Sequence, residues 1–256
     1  MDSLQSNYSK VGTELIENLY GNEFLSLSGE QSSDDMIALT GLSHQSFVLD
    51  IGSGVGGPAF YLTKKTQCRI VGIDLIEWNV EEANKRSNVL ELKGKTSFLV
   101  ADATNLPFVG ESFDCIWSQD AFCHLLDKTL VLSEAARLLK SGGYMAFTDW
   151  VRLAEMEVEY LQKVQSAAAS PNFATPESYL SWLNVHGFGI TSRKDISHHF
   201  EERYRSMILK LKQMKTSISN EFSPRVFEIM VEKNSMILQG FEDRKIGGIQ
   251  LVAKKF

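Results

Sequence analysis

A chain of 256 residues is long enough for one large α/β domain and short for two independent ones. With 43% hydrophobic and 23% charged residues the composition is that of a globular protein, which excludes disordered and fibrous classes. The formal net charge of -6 argues against a dedicated nucleic-acid binder, which needs a basic stripe to neutralise phosphates, and leaves open a local basic pocket for a small anion.

Roughly the first 45 residues read as helical and carry Tyr8, Tyr20 and Phe24. The opening MDSLQSNYSK lacks the charged-then-apolar pattern of a secretion signal, and no apolar run approaches the ~18 residues that span a bilayer. A cytoplasmic protein without a membrane partner is therefore expected. From Phe47 short β-rich runs alternate with helical stretches: SFVLDIG, CRIVGID, TSFLVAD and SFDCIWS read as strands, with helices from GPAFYLTKKT and over residues 78–92. DKTLVLSEAARLLK reads as an amphipathic helix with Leu130, Ala135, Leu138 and Leu139 on one side, stopped by Ser141-Gly142-Gly143 before YMAFTDW as a fifth strand. Such alternation predicts right-handed crossovers and a parallel sheet covered by helices on both faces. Beyond it, 151–186 reads as helix-rich, FGITSRKDI as a sixth strand, 198–240 as helical, and GGIQLVAKKF as a seventh strand.

Cys68, Cys115 and Cys123 are too few and scattered for a disulfide framework or a zinc knuckle, and read as buried free thiols of a reducing compartment. Adjacent histidines do not face each other on a helix, so His198-His199 reads as a solvated turn and no metal is expected.

The glycine loop carries the chemistry. In Asp50-Ile51-Gly52-Ser53-Gly54-Val55-Gly56-Gly57 the chain leaves the first strand and enters a helix, where glycines permit a sharp turn and close approach of a ligand to the main chain. Gly52, Gly54 and Gly57 also satisfy the dinucleotide pattern, which would place a pyrophosphate over the helix N-terminus. The carboxylate of Asp50 suits a cationic ligand such as a sulfonium amino acid better. Asp74 ends the second strand, where it can accept from both ribose hydroxyls, a feature common to both readings. Asp102-Ala103 follows the third strand, within reach of an adenine amino group. Three carboxylates at neighbouring strand ends are thus expected to form one cradle.

The ordered set VLDIGSGVGG, GID, VADATNLPF and SFDCIWS resembles the class I S-adenosylmethionine (SAM)-dependent methyltransferases over residues 46–150. The resemblance implies a Rossmann-like α/β fold: a seven-stranded, mostly parallel sheet with an antiparallel last strand beside the fifth, plus N-terminal helices and a helical lid. It divides a single domain into an N-terminal cap (1–45), a SAM-binding core (46–150), a lid with the sixth strand (151–245) and the last strand (246–256). It also implies SAM contacts at Gly52, Gly54, Asp74, Leu75, Asp102 and Ala103. Read structurally, the same residues are turn glycines and helix-capping aspartates of a generic α/β fold.

Residues 116–124, IWSQDAFCH, resemble the sarcosine/dimethylglycine N-methyltransferases and are similar to the phosphoethanolamine N-methyltransferases, which have arginine at the place of Gln119. SHHFEERYRSMILKLK, FSPRVFEIM and the closing Gly-Gly strand look like the lid helices and last strand of that group. SNYSKVGTELIENLYGNEFLSLSG is more similar to the phosphoethanolamine enzymes, which implies a lid contact between Tyr8 and His124 and SAM contacts at Leu25 and Ser26. Gln119 joins the expected cofactor set.

If a short helix begins after Ser118, Asp120 and His124 stand four apart on one face. Asp120 would hold a cationic amine, and His124 would accept the proton the amine must lose. The structural readings are a helix-capping Asp120, a hydrogen-bonded His124 and a packing aromatic at Tyr8. Trp150 replaces a tyrosine of the phosphoethanolamine enzymes and can offer a cation–π face or pack structurally. Arg244 and Lys245 precede the last strand, either to meet an anionic group, for which Lys245 is the expected residue, or as solvated charges; Arg193-Lys194 reads as surface. The expectation is an N-methyltransferase for a small amine such as glycine, sarcosine, dimethylglycine or phosphoethanolamine, with S-adenosylhomocysteine as product. Its rivals are C- or O-methylation of a quinone, sterol or specialised metabolite, which predicts a larger and more apolar lid cavity, a non-catalytic SAM-binding protein, and an NAD oxidoreductase. The sequence leaves the oligomeric state open, with a monomer as the default.

Overall fold

The computed structural model describes Tyr8, Lys10–Tyr20 and residues 24–256, so the reading of the first ten residues falls largely outside the described part. Seven strands form one sheet in the order β3-β2-β1-β4-β5-β7-β6. They are β1 (Phe47–Ile51), β2 (Arg69–Asp74), β3 (Thr96–Val100), β4 (Phe113–Gln119), β5 (Leu139–Arg152), β6 (Phe188–Asp195) and β7 (Ile246–Lys255). The first five pair in parallel, and β7 runs antiparallel to both β5 and β6. The order reverses between β1 and β4, which opens a crevice at the carboxyl ends of those strands, where ligands bind in open α/β sheets.

Burial on both faces explains the strand sequences. In β1, Leu49 and Ile51 join Ile73, Ile116 and Phe147 on one face, while Val48 joins Phe60, Ile70 and Trp117 on the other. That alternation is the two-residue period of a strand, and it makes a central parallel strand apolar throughout. Helices α3 (Gly57–Thr66) and α4 (Glu77–Val89) cover the second face together with α2 (Gly29–Thr40). Helices α5 (Lys128–Leu138) and α7 (Pro176–Val185) cover the first. Their ends are locally specified: Pro58 sits in the first turn of α3, and Asp127 caps α5 by accepting from the Thr129 N–H at 2.9 Å.

A third apolar cluster lies over the carboxyl ends of the strands. It joins Leu19 of α1 (Lys10–Tyr20), Trp150 of β5, Phe200, Tyr204 and Met207 of α8 (Ser197–Gln213), and Phe241 of α10 (Pro224–Glu242). The short α9 (Lys215–Glu221) links α8 to α10, and α6 (Val158–Ala167) adds Val164. These helices pack together around Trp150 at the carboxyl end of β5.

Three expectations need correction. The glycines at 142–143 do not separate a helix from a strand: α5 ends at Leu138 and β5 starts at Leu139, running through Lys140–Gly143 as an irregularity in its register with β4. Leu139 is therefore a strand residue, and the buried face of α5 is Val131, Leu132, Ala135 and Leu138, with Leu130 50% exposed. His198 and His199 lie in the first turn of α8 and not in a loop; His199 Nε2 is 3.3 Å from the Ser28 carbonyl oxygen. The cysteines are buried and unpaired. No helix among the described residues is long and apolar enough to cross a membrane.

Candidate functional site

The loop after β1 is held by the neighbouring strand. Gly52 and Ser53 both donate their N–H groups to the Ile73 carbonyl at 2.9 Å, and Gly54 donates to Asp74 Oδ2 at 2.9 Å. Gly52 sits at φ +73°, and a Cβ there would stand 2.3 Å from the Ala121 Cβ, so both backbone conformation and space require glycine. The other oxygen of Asp74 accepts from the Ile76 N–H at 2.9 Å and from Asn79 at 3.4 Å. Burial raises the pKa of Asp74 and these hydrogen bonds oppose the rise.

A cleft opens above this loop. It is lined by Gly52, Gly54, Asp74, Leu75, Asp102, Ala103, Leu25, Ser26 and Gln119, and by Asp120, His124 and Tyr8 at its inner end. Asp102 turns one carboxylate oxygen to the Thr104 N–H at 2.9 Å and hydroxyl at 2.8 Å. Two further lining hydroxyls, Ser26 Oγ and Ser53 Oγ, are buried with no hydrogen-bond partner. Buried polar atoms are rarely left so, which fits a cleft completed by a polar ligand.

Asp50 does not take part in this cradle. It faces the same side of β1 as Val48, behind the loop, is 1% exposed and does not line the cleft. Burial, and secondarily the Asp74 charge, push its pKa up to about 8, and its Oδ2 has no partner. Of the three strand-end carboxylates expected in the cradle, two, Asp74 and Asp102, line the cleft. Gln119 lines the cleft but spends its amide on the protein: it donates to Ser28 Oγ and the Gly29 carbonyl at 3.0 and 3.1 Å, and accepts from Ser33 Oγ at 3.0 Å. It thereby fixes the segment that carries Leu25 and Ser26.

A second, larger chamber of about 540 Å3 lies on the other side of Tyr8, Leu25, Asp120 and His124, which line both spaces. Asp120 and His124 reach this wall differently from the expected helix face. Asp120 continues the β4–β5 ladder through its N–H to the Thr148 carbonyl at 2.9 Å, adopts φ +56°, and is followed by a single 3-10 turn, Phe122–His124. Its carboxylate accepts from Thr148 Oγ1 at 2.6 Å and from the Ser28 N–H at 3.0 Å. Burial raises its pKa to about 6 against the pull of those donors.

The His124 tautomer follows from its partners. Nδ1 lies 2.9 Å from the Ala169 carbonyl oxygen, which can only accept, so Nδ1 carries the hydrogen. Nε2, 3.0 Å from Tyr8 Oη, is then the acceptor of the tyrosine hydroxyl. Burial lowers the His124 pKa and holds the ring neutral, while the Ala169 hydrogen bond opposes this. Burial also raises the Tyr8 pKa well above its usual value.

Trp150 lines the chamber and not the cleft, packed against Phe241 and Phe173 with ring centroids at 5.2 and 6.5 Å. Lys245 reaches neither space: its Nζ lies 4.5 Å from the Tyr160 ring centroid and 3.5 Å from Asp243 Oδ2. Its charge is used at the root of β7, and Arg244 pairs with Asp195 at 3.1 Å. Sequence reasoning missed Thr148, Asn79, Ser53 and the Ala169 carbonyl. A main-chain acceptor has no residue-type signal. The chamber face of α10, by contrast, was readable as Val226, Ile229, Met230 and Ile237 at helical spacing.

Residues 49–147 match the family described as a methyltransferase domain. The sarcosine/dimethylglycine N-methyltransferase of Halorhodospira halochloris is 31% identical over 74% of this chain and 68% of its own length. Phosphoethanolamine N-methyltransferase 1 of Arabidopsis thaliana is 25% identical over 90% of this chain, which spans about half (46%) of that enzyme. The Haemonchus contortus phosphoethanolamine N-methyltransferase 2, solved with phosphomonomethylethanolamine and S-adenosylhomocysteine, shares the fold at a TM-score of 0.88 and 24% identity, over 99% of this chain and 59% of that one. The sheet order, the glycine loop with its latched aspartate and these matches agree: the chain belongs to the SAM-dependent methyltransferases.

Proposed function

We propose that this methyltransferase alkylates the amine nitrogen of a small molecule that enters the chamber and meets the wall formed by Asp120, His124 and Tyr8. The observation that carries the reading is that these side chains line both the cleft and the chamber, so a group on either side can reach them. We assign the helices of residues 1–45 and 151–245 as a cover belonging to the same domain as the sheet, and the protein to the cytoplasm.

Bound SAM supplies an electrophilic methyl group and leaves as S-adenosylhomocysteine. Asp74 would hold the ribose hydroxyls, Asp102 and Ala103 the adenine, and Gly52, Gly54 and the free hydroxyls of Ser26 and Ser53 the amino-acid end, with Leu25 and Leu75 against the nucleoside. Gln119 acts by fixing the Leu25–Ser26 segment. Asp120, with a pKa of about 6, is ionised at neutral pH and attracts an ammonium group. The amine must lose a proton before it attacks. Neutral His124 takes that proton through Tyr8, whose hydroxyl donates to Nε2 as it accepts from the amine. Neither tyrosinate nor free hydroxide is needed.

The test is turnover of purified protein with SAM and glycine, sarcosine, dimethylglycine or phosphoethanolamine. No methyl transfer to any of them rejects these acceptors and leaves the family unaffected. A second reading, methylation of oxygen or carbon on a larger metabolite, is favoured by the size of the chamber, about 540 Å3. Replacement of His124 and Asp120 separates both from a SAM-binding protein without catalysis: lost turnover with retained SAM binding supports the enzyme.

A further inference from the structure

Two buried titratable side chains have no role in the mechanism above. Lys128, the first residue of α5, is 1% exposed, and Asp149 of β5 is fully buried. A lysine is almost never buried unless its ammonium is matched. Helix α5 does not call for one: Asp127 already caps it, and apolar residues in place of buried charges are often neutral or stabilising. Neither Lys128 nor Asp149 lines the cleft or the chamber.

Their partners explain the two positions. Asp149 Oδ1 accepts from the Cys123 N–H at 2.8 Å, and its Oδ2 accepts from the buried Tyr179 hydroxyl at 2.5 Å. Lys128 Nζ donates to the Leu125 carbonyl at 2.9 Å and to the Asn172 carbonyl. The main chain is thus gripped on either side of His124, before it by Asp149 and after it by Lys128. The same turn is tied to residues 169–172 by Ser170 Oγ, which donates to the Cys123 carbonyl at 2.8 Å, and by Asn172 Nδ2, which donates to the Leu126 carbonyl at 3.1 Å. Lys128 bridges the two segments, with one acceptor on each. Ala169, whose carbonyl sets the His124 tautomer, adopts φ +50°, which a residue with a Cβ keeps only where its neighbours over-determine it. Burial lowers the Lys128 pKa and raises that of Asp149 to about 7, and each charge opposes the shift of the other.

We propose that Lys128 and Asp149 are positioning residues of the Asp120–His124 wall: they hold the main chain on both sides of His124, and residues 169–172 against it, so that the ring keeps Nδ1 on the Ala169 carbonyl and Nε2 toward Tyr8. The value of this for transfer rests on the reading that His124 takes the proton of the acceptor. A ring on a single 3-10 turn, released from these anchors, is free to exchange tautomers, and a protonated Nε2 cannot accept from Tyr8.

The test is the nitrogen NMR spectrum of the His124 ring, which is read whether or not any acceptor turns over. The parent is expected to show Nδ1 protonated and Nε2 bare; a parent with the proton on Nε2 overturns the proposal at once. Lys128→Met keeps the length of the side chain and removes its donors. Lys128→Met/Asp149→Asn also removes the carboxylate left unmatched, which guards against a fold lost to that charge. Both variants are expected to show the two nitrogens averaged between tautomers. Their kcat should fall by up to about 10²-fold, the effect of a misplacement of roughly 1 Å, while KM and the Kd of S-adenosylhomocysteine stay within about twofold. The double variant should regain Tm relative to Lys128→Met without regaining kcat. A His124 spectrum unchanged in both variants overturns the proposal and makes Lys128 a structural lysine, as does a kcat that returns together with Tm. Averaged tautomers with an unchanged kcat uphold the positioning of the ring and reject His124 as the proton acceptor.

Discussion

Replacing Gly52 by alanine tests the architecture of the cleft proposed to hold SAM. At φ +73° any residue with a Cβ sits in the left-handed region at a cost of roughly 1–2 kcal/mol. The added Cβ would also stand 2.3 Å from the Ala121 Cβ, where carbon atoms normally rest roughly 3.5–4.0 Å apart. Ala121 lies between Asp120, itself at φ +56°, and the turn that presents His124, so the clash is transmitted to the wall. Overpacking of this kind costs roughly 1–3 kcal/mol. Together the two effects give about 2–5 kcal/mol. A chain of this size loses roughly 2–4 °C of Tm per kcal/mol, so a fall on the order of 10 °C is expected. Adding Ala121→Gly removes the clash and leaves the backbone cost, so the double variant should recover about 1–3 kcal/mol. Scanning calorimetry reads the Tm, and titration with S-adenosylhomocysteine reads an affinity that should weaken with Gly52→Ala and recover with the pair. An unaltered Tm and affinity in Gly52→Ala, or no rescue by Ala121→Gly, would refute the reasoning.

Further outcomes follow from the titrating groups. Because burial lowers the His124 pKa, kcat/KM should be lost as pH falls through a value below the ordinary 6.5 of histidine. Tyr8→Phe removes both the relay hydroxyl and a donor that favours the neutral ring, so methyl transfer should fall and the His124 pKa, read from its ring NMR signals, should rise; an unchanged rate and an unchanged His124 pKa would exclude the Tyr8–His124 relay. Stability follows the same sign for His124: its folded pKa is depressed, the unfolded chain binds more protons, and stability falls as pH drops below about 6.5. Asp50 works in the opposite direction. Its folded pKa of about 8 lies above its unfolded value, so its contribution is full in acid and is lost as pH rises from about 4 to 8. Asp50→Asn should therefore raise the Tm at pH 8 by several degrees more than at pH 4, and equal shifts at the two pH values would contradict the buried, unpartnered carboxyl.

The parallel half of the sheet was legible because each strand carries its own signal: an apolar run, a carboxylate at its end and a helical period after it. The glycine loop and Asp74 and Asp102 could be placed for that reason. The errors have a common physical source in residues whose identity does not report their partners. Gly142 and Gly143 look like a helix stop but lie inside a strand, because pairing with β4 resumes at Leu139 before the chain reaches them. Asp50 looks like a ligand carboxylate, yet the two-residue period of β1 turns it behind the loop. Lys245 looks free for an anion, and only the fold brings Tyr160 and Asp243 to it. Asp120 and His124 look like neighbours on one helix face, yet a left-handed residue and a 3-10 turn bring them to one wall by another route.

The most direct measurement on the account as a whole is the single-turnover methyl-transfer rate of His124→Asn at neutral pH, taken with its affinity for S-adenosylhomocysteine. If His124 accepts the proton at the wall between cleft and chamber, the rate should fall by roughly 10²–10⁴-fold, as loss of a general base does, while affinity stays within about twofold. A rate close to that of the parent protein, with cofactor affinity intact, would contradict transfer at that wall.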